Sequence, residues 1–244
     1  MRKFGLIGYP LGHSFSKGYF TKKFSEQSIN DAAYENFPIA SIEELQQVLD
    51  FQPELRGLNV TIPYKEKVIQ YLHHQSPEVK EINACNCILI KDRELTGYNT
   101  DFIGFKNSLL VKLKPHHTNA LILGWGGASK AVAYALKTLG INYLVVSRRS
   151  TLAGSISYEQ LNADIITQHQ LIINCTSLGM HPSIEQAPAI PYEHLTDKHF
   201  LFDLIYNPAQ TMFLQLGEER GAIIENGLDM LALQAEASWR IWNS

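Results

Sequence analysis

Ala120-Leu121-Ile122-Leu123-Gly124-Trp125-Gly126-Gly127-Ala128-Ser129-Lys130-Ala131 carries the strongest fold signal in the chain. Four apolar residues stop abruptly at Gly124, and the glycines at 124, 126 and 127 leave little but backbone in the turn. From Ser129 to Leu139 the composition is helix-forming, with apolar residues at Val132, Leu136 and Leu139. The pattern is strand, tight turn, helix. In a dinucleotide-binding unit the first glycine permits the turn and the second lets backbone approach a pyrophosphate, which meets free N–H groups at the helix N-terminus. Ser129 stands where the general fingerprint has its third glycine, so the pattern by itself leaves open a glycine-rich turn without a ligand.

The following strand narrows the choice. Ile141 to Val146 is β-branched and apolar and ends in Ser147, Arg148 and Arg149, with Arg148 standing 24 residues after Gly124. An NAD site calls for a carboxylate here to accept from the ribose 2′-hydroxyl, whereas an NADP site calls for arginine to hold the 2′-phosphate. Two arginines and no carboxylate favour NADP, because a guanidinium matches a phosphate better than a hydroxyl.

At 244 residues the chain is long enough for one large or two small domains. With 45% hydrophobic and 18% charged residues it reads as globular, and the net charge of −3 offers no basic surface for nucleic acid. No apolar run approaches a membrane span, and the N-terminus lacks the long apolar region of a signal peptide, so a cytoplasmic protein without membrane attachment is expected. Three cysteines, Cys85, Cys87 and Cys175, make disulfides unexpected, and no second Cys/His pair at zinc spacing follows Cys85-Asn86-Cys87, so no metal is expected. The pairs His73-His74 and His116-His117 lie in polar contexts that predict solvated surface.

A first strand is expected over Phe4 to Ile7, then a turn and a helix from Lys17 to Gln27, with Ser14 and Ser16 two residues apart just before it. Paired hydroxyls on one face suit a carboxylate, although capping alone accounts for one of them. Ala33 to Phe37 predicts a second strand, and Ser41 with Glu44 predicts a capping box opening a helix through Leu49. In Leu58-Asn59-Val60-Thr61-Ile62-Pro63 the apolar residues alternate with Asn59 and Thr61, which predicts a strand ended by proline. A helix is expected from Tyr64 to Leu72, with Lys65 in its first turn, where the helix dipole disfavours a cation. Cys85 to Leu89, which contains Asn86, and Glu94 to Tyr98 predict two strands, with Asn99 and Asp101 following them. Phe102 to Leu113 reads as a helix at a domain boundary. Beyond the glycine-rich unit, Leu171 to Cys175 and Phe200 to Leu204 predict buried parallel strands, while Thr151 to Ala163 is short for a crossover helix. The segments Asn174 to Met180 and Tyr206-Asn207-Pro208 fall at strand ends, where loops line the crevice of an open α/β sheet. A last helix, Leu228 to Trp242, follows the turn Asn226-Gly227 and sets Gln234 beside an apolar stripe.

Taken in order, Ser14-Phe15-Ser16, Asn59-Val60-Thr61 with Lys65, Asn86, Gly97 to Asp101, Gly124 to Ala128, Asn174 to Met180, Asp203 to Pro208 and Asn226 to Ala235 closely resemble the shikimate dehydrogenase family. Eight short motifs in sequence over nearly the whole chain are far more specific than any one of them. The resemblance implies an α/β protein of two domains. A substrate-binding domain would comprise residues 1–101 and 226–244, and a Rossmann-type NADP-binding domain residues 102–225, with the C-terminal helix returning to the first.

The implied reaction is the reversible, NADP-dependent interconversion of 3-dehydroshikimate and shikimate on the way to chorismate and the aromatic amino acids. In family terms Ser14 and Ser16 hold the substrate carboxylate, Asn59, Thr61, Asn86, Asp101 and Gln234 contact its oxygens, and Lys65 with Asp101 forms the catalytic pair. Gly124, Gly126, Gly127, Ala128, Ser147, Arg148, Arg149, Thr176 and Gly227 are expected against the cofactor, with Met180 and Tyr206 bordering the nicotinamide. The chemistry agrees, since hydride delivery to a ketone leaves charge on oxygen and needs a proton donor and a cation nearby, both of which Lys65 supplies.

Trp125 stands where the family usually has a small residue and Cys87 where it has threonine. Arg149 follows Arg148 directly, which leaves open which of them reads the 2′-phosphate. A quinate-accepting type using NAD and a non-catalytic NADP sensor are the alternatives, and a monomer and a homodimer are both compatible with the sequence.

Overall fold

The computed structural model describes residues 1–12, 15–148 and 153–244. Ser14 and Arg149 lie outside the described residues. The chain divides into two compact units, Met1–Thr100 with Gln234–Ser244, and Asp101–Leu233.

The first unit contains β1 (Arg2–Gly8), α1 (Phe15–Glu26), β2 (Ala32–Pro38), α2 (Leu45–Phe51), β3 (Leu55–Val60), β4 (His74–Gln75), α3 (Pro77–Ile82), β5 (Cys87–Lys91) and β6 (Glu94–Tyr98). Its sheet runs β2-β1-β3-β5-β6-β4, and only the β3/β5 and β5/β6 pairs are antiparallel. Ser41 forms the expected capping box with Glu44, ahead of a 3-10 turn that runs into α2. One face of the sheet packs Leu58, Val60, Ile88 and Leu95 against Leu45 and Tyr64. The other packs Phe4, Phe20 and Tyr34 against Trp242. Ring contacts dominate this second face, with Phe4 stacked on Trp242 at 4.9 Å and Phe20 on Tyr34 at 4.6 Å.

The second unit contains α4 (Asp101–Lys112), β7 (Asn119–Leu123), α5 (Gly127–Thr138), β8 (Asn142–Val146), α6 (Ala163–Gln168), β9 (Leu171–Asn174), β10 (Phe200–Asp203), α7 (Met212–Glu218), β11 (Ile223–Glu225) and the start of α8 (Leu228–Trp242). Its sheet runs β11-β10-β9-β7-β8 and is parallel throughout. Strands buried on both faces explain the unbroken apolar runs Leu171 to Ile173 and Ala120 to Leu123. From β7 the chain goes to β8 on one side and then to β9 on the other, so the carboxyl ends of β7 and β9 form a topological switch point. The unit boundary falls within α8 at Gln234, whose last turns bury Ala235 and Trp242 in the first unit.

Three local expectations are corrected. Tyr64 to Leu72 is not an α-helix. Tyr64 turns its ring into the core and donates its hydroxyl to the Ile39 carbonyl at 2.7 Å, leaving only a 3-10 turn over Lys67–Tyr71. Lys65 therefore precedes the turn, and the dipole argument does not apply to it. Asn86 stands just before β5, because the Cys85 N–H is taken by the Lys65 carbonyl at 2.7 Å and the ladder begins at Cys87. His117 is buried rather than solvated: its Nδ1 accepts from the Lys114 N–H and its Nε2 meets the Lys198 carbonyl at 3.1 Å. Burial lowers its pKa below that of an ordinary histidine.

Gly57 illustrates the tightness of the ring-packed face. A Cβ at this position would overlap the Trp242 indole, whose Nε1 donates to the Ile88 carbonyl at 3.0 Å. Gly57→Ala is expected to destabilise the protein by about 1–3 kcal/mol through overpacking, read as a lower urea midpoint, together with a shifted tryptophan emission.

Candidate active site

In the first unit a buried line of hydrogen bonds joins residues from six segments. Ser16, in the first turn of α1, donates to the Tyr34 hydroxyl, which in turn donates to Asn59 Oδ1 at 3.0 Å. Asn59 Nδ2 donates to the Asn86 carbonyl at 3.2 Å and to Ser238 Oγ at 2.9 Å. Asn86 Oδ1 accepts from the Thr100 N–H at 2.5 Å, and Asn86 Nδ2 reaches Thr100 Oγ1 at 3.0 Å and Gln234 Oε1 at 3.4 Å. Thr100 and Ser238 hydroxyls meet at 3.2 Å.

The line thus gathers Ser16, Asn59, Asn86 and Gln234 from the expected set, around the carboxyl ends of β1, β3 and β6. Thr61 is half-buried at the end of β3, with its methyl against Gly8. The Lys65 backbone is tied to Cys85, and its side chain is half-buried. Asp101 is buried as the first residue of α4, where a carboxylate complements the helix dipole.

The Asn59 amide has three partners inside the fold, which hold it against Tyr34, Asn86 and Ser238. Tyr34, Thr100 and Ser238 were not singled out in the sequence. Ser238 carried a signal, since it lies one helical turn after Gln234 and donates to the Gln234 carbonyl at 3.0 Å.

In the second unit the glycine turn has the expected form. Gly124 has a φ of +87°, and a Cβ there would come 2.8 Å from the Thr176 methyl. Gly126 and Gly127 open α5 with free space where side chains would be. Ser129 replaces the third glycine by closing the turn: its Oγ accepts from the Gly126 N–H at 2.6 Å and donates to the Gly126 carbonyl at 2.8 Å. Ala128, in the first turn of α5, adds another N–H with no partner earlier in the helix. These residues fit a dinucleotide pyrophosphate, since donors face open space at a switch point. Ser147 and the exposed Arg148 follow β8, and Trp125 is exposed within the turn.

The neighbouring loops are braced by one buried carboxylate. Asp203, at the end of β10, accepts from Asn174 Nδ2 at 3.1 Å, from the Ile205 N–H at 3.0 Å and from Thr211 Oγ1 at 2.6 Å. Asn174 Oδ1 in turn accepts from the N–H and hydroxyl of Thr176 at 3.0 and 2.7 Å, shaping the loop that carries the exposed Met180. Gly227 approaches the Leu204 carbonyl so closely that no side chain fits, which fixes the segment leading to the exposed Tyr206. Burial pushes the Asp203 carboxyl up to about 6, against the pull of its three hydrogen bonds. Burial, with the Asp203 charge adding to it, also raises the Cys175 thiol. Among the described residues no cluster of histidine, cysteine or carboxylate side chains could hold a metal ion, and no helix is long and apolar enough to cross a membrane.

Fold and site together define a two-unit α/β protein of the dinucleotide-binding class. Residues 6–88 match the shikimate dehydrogenase substrate binding domain. A shikimate dehydrogenase (NADP(+)) of Caldicellulosiruptor saccharolyticus is 36% identical, over 99% of this chain and 92% of its own length. The crystal structure of shikimate dehydrogenase from Aquifex aeolicus superposes with a TM-score of 0.88 at 32% identity, covering 100% of this chain and 92% of that one. The Thermus thermophilus enzyme, solved in complex with NADP(H) and shikimate, gives 0.88 at 30% identity over 99% and 93% of the two chains. The chain belongs to the shikimate dehydrogenase family.

The brace at Asp203 makes stability depend on pH. Its carboxyl has a higher pKa folded than unfolded, so its contribution is fully present below about pH 4 and is lost as pH rises through about 6. Asp203→Asn keeps the Oδ1 contacts and removes this titration. The stability of the variant relative to the wild type is therefore expected to rise by about 2.5 kcal/mol between pH 4 and pH 7, measured by urea unfolding at each pH.

Proposed function

We propose that this protein is an NADP-dependent oxidoreductase that interconverts 3-dehydroshikimate and shikimate, a step towards chorismate and the aromatic amino acids. The observation that carries the reading is the buried line of neutral amides and hydroxyls from Ser16 to Gln234, reached by a sequence that matches its relatives from end to end. A small acid bearing several hydroxyls needs such neutral donors and acceptors, since each of its buried oxygens must find a partner.

The first unit, with the end of α8, is the substrate-binding domain in this reading, and the second is the NADP-binding domain. Ser14 and Ser16 hold the carboxylate; Thr61, Asn86, Asp101 and Gln234 receive the ring oxygens; Asn59 positions Asn86. NADPH supplies the hydride when bound. Lys65 donates a proton to the carbonyl oxygen as it gains charge, and Asp101 accepts from the substrate hydroxyl and orients it. The N–H groups at the start of α5 hold the pyrophosphate, Arg148 and Arg149 face the 2′-phosphate, and the loops carrying Met180 and Tyr206 flank the nicotinamide. The protein is placed in the cytoplasm, with small molecules as its partners, as a monomer or a homodimer.

Absorbance of the reduced nicotinamide tests the assignment directly. Purified protein is expected to reduce NADP rapidly with shikimate and slowly with quinate, and to use NAD poorly. Equal rates with quinate or NAD would move it to the broader type, and no turnover in any pairing would reject catalysis in favour of a sensor. Lys65→Ala is expected to lower kcat by about 10²–10⁴ while leaving the KM for NADP near its starting value. Arg148→Ala is expected to raise the KM for NADP by about 10- to 100-fold, the loss of one charge-assisted hydrogen bond, with little change for NAD.

A further inference from the structure

At the end of the first unit's sheet opposite the line of amides and hydroxyls lies a cleft of about 700 Å³. It opens beside Leu55, at the start of β3, six residues before Thr61, which puts it roughly 20 Å along the sheet from that end. The floor is apolar: Leu49 of α2, Leu55, Ile90 and Leu95 of three adjacent strands, and the ring of Tyr71. The rim is cationic, with Arg56 on β3 and Lys91 and Arg93 at the β5/β6 turn.

None of these three cations has a carboxylate within 4 Å among the described residues. Arg56 uses Nη1 on the carbonyls of Pro53 and Leu55 at 3.2 and 3.1 Å, which holds its guanidinium plane beside the cleft with other N–H groups to spare. Of the two carboxylates at the rim, Asp50 accepts from Gln46 at 3.0 Å, and Asp92 sits at the turn beside Arg93. His73, on the same wall, accepts the Leu95 N–H at Nδ1, so its Nε2 carries a proton and is a donor.

The turn itself is unusual. Asp92 and Arg93 have φ of +52° and +66°, the left-handed conformation that a two-residue hairpin turn usually gives to Asn-Gly. A bulky arginine held there costs backbone energy, and such positions concentrate at binding sites.

We propose that this cleft is a second small-molecule site, distinct from the substrate and cofactor sites, and that it takes an organic anion with an aromatic or aliphatic body. The body lies on Leu49, Leu55, Ile90 and Leu95, and the acid group, carboxylate or sulfonate, meets Arg56 and Arg93. The volume falls within the range of drug-sized ligand pockets, and a planar guanidinium matches such an acid better than any neutral donor.

The test uses the full chain with NADP present, titrated with 8-anilinonaphthalene-1-sulfonate and, in parallel, with N-phenyl-1-naphthylamine, the same ring system without the acid. One sulfonate per chain is expected to bind at least about ten-fold more tightly than the amine, as a charge-assisted hydrogen bond requires. Binding is expected to weaken by a similar factor in the Arg56→Ala/Arg93→Ala double variant, and also in Leu49→Trp, which fills the floor, while kcat and KM stay unchanged in both. Equal binding of the two probes, or binding unaffected in both variants, would overturn the proposal. So would a sedimentation mass of two chains with the probe excluded, since the cleft would then belong to a second copy. Probe binding is read without turnover, so a failure of the reaction assigned above leaves this result interpretable.

Discussion

Burying an amide is costly unless its donors and acceptor are all matched, and in the first unit that constraint falls on Asn59. Its partners come from β2 (Tyr34), from the residue before β5 (Asn86) and from α8 (Ser238), more than 150 residues away in sequence for the last of them. Meeting the constraint brings the C-terminal helix onto the N-terminal sheet. The same helix then supplies Gln234 to the line and Trp242 to the aromatic face. A second tie lies further round α8, where Glu236 meets the Lys23 ammonium at 2.7 and 2.9 Å and accepts from the Tyr19 hydroxyl. Burial works to raise the Glu236 carboxyl, but these two donors outweigh it and hold the carboxyl below the ordinary range.

The second unit solves a similar problem with a charge. Asp203 ties the loop after β9 to the segment after β10 and to the cap of α7. A carboxylate accepts several donors at once, which suits a place where three backbone segments converge. Its cost is desolvation, visible in the raised pKa. The two units therefore differ in a way that matters for their chemistry. The first unit's line of amides and hydroxyls carries no charge, whereas the loops of the second unit rest on a carboxyl that burial pushes up to about 6.

Position along the sheets completes the picture. Both sets of polar residues fall at carboxyl ends of parallel strands, where backbone is free to turn and side chains need not pack. The β5/β6 hairpin reverses direction and exposes Lys91 and Arg93 at the opposite end, which is why a cationic rim arises so far from the buried amides and hydroxyls.

Much of this was legible in the sequence, for local reasons. Gly124 to Ala131 could form only a strand, a turn and a helix, because apolar run, glycines and helix formers follow one another without ambiguity, and Leu228 to Trp242 carried its own turn and periodicity. The short motifs were equally readable, since glycine at 124 and 227 answers to a positive φ and to a close backbone approach that no other residue allows. Tyr64 to Leu72 was misread because its helical composition is overridden by burial of one ring, a contact that sequence spacing does not encode. His117 was misplaced for the same reason, its partners being the backbone of Lys114 and Lys198. Most elements and the residue types available for chemistry depend on neighbours within a few positions, and these were readable from local pattern alone. Which buried polar groups satisfy one another was settled in three dimensions, because Tyr34, Asn59, Asn86 and Thr100 meet across chain separations that leave no local signal.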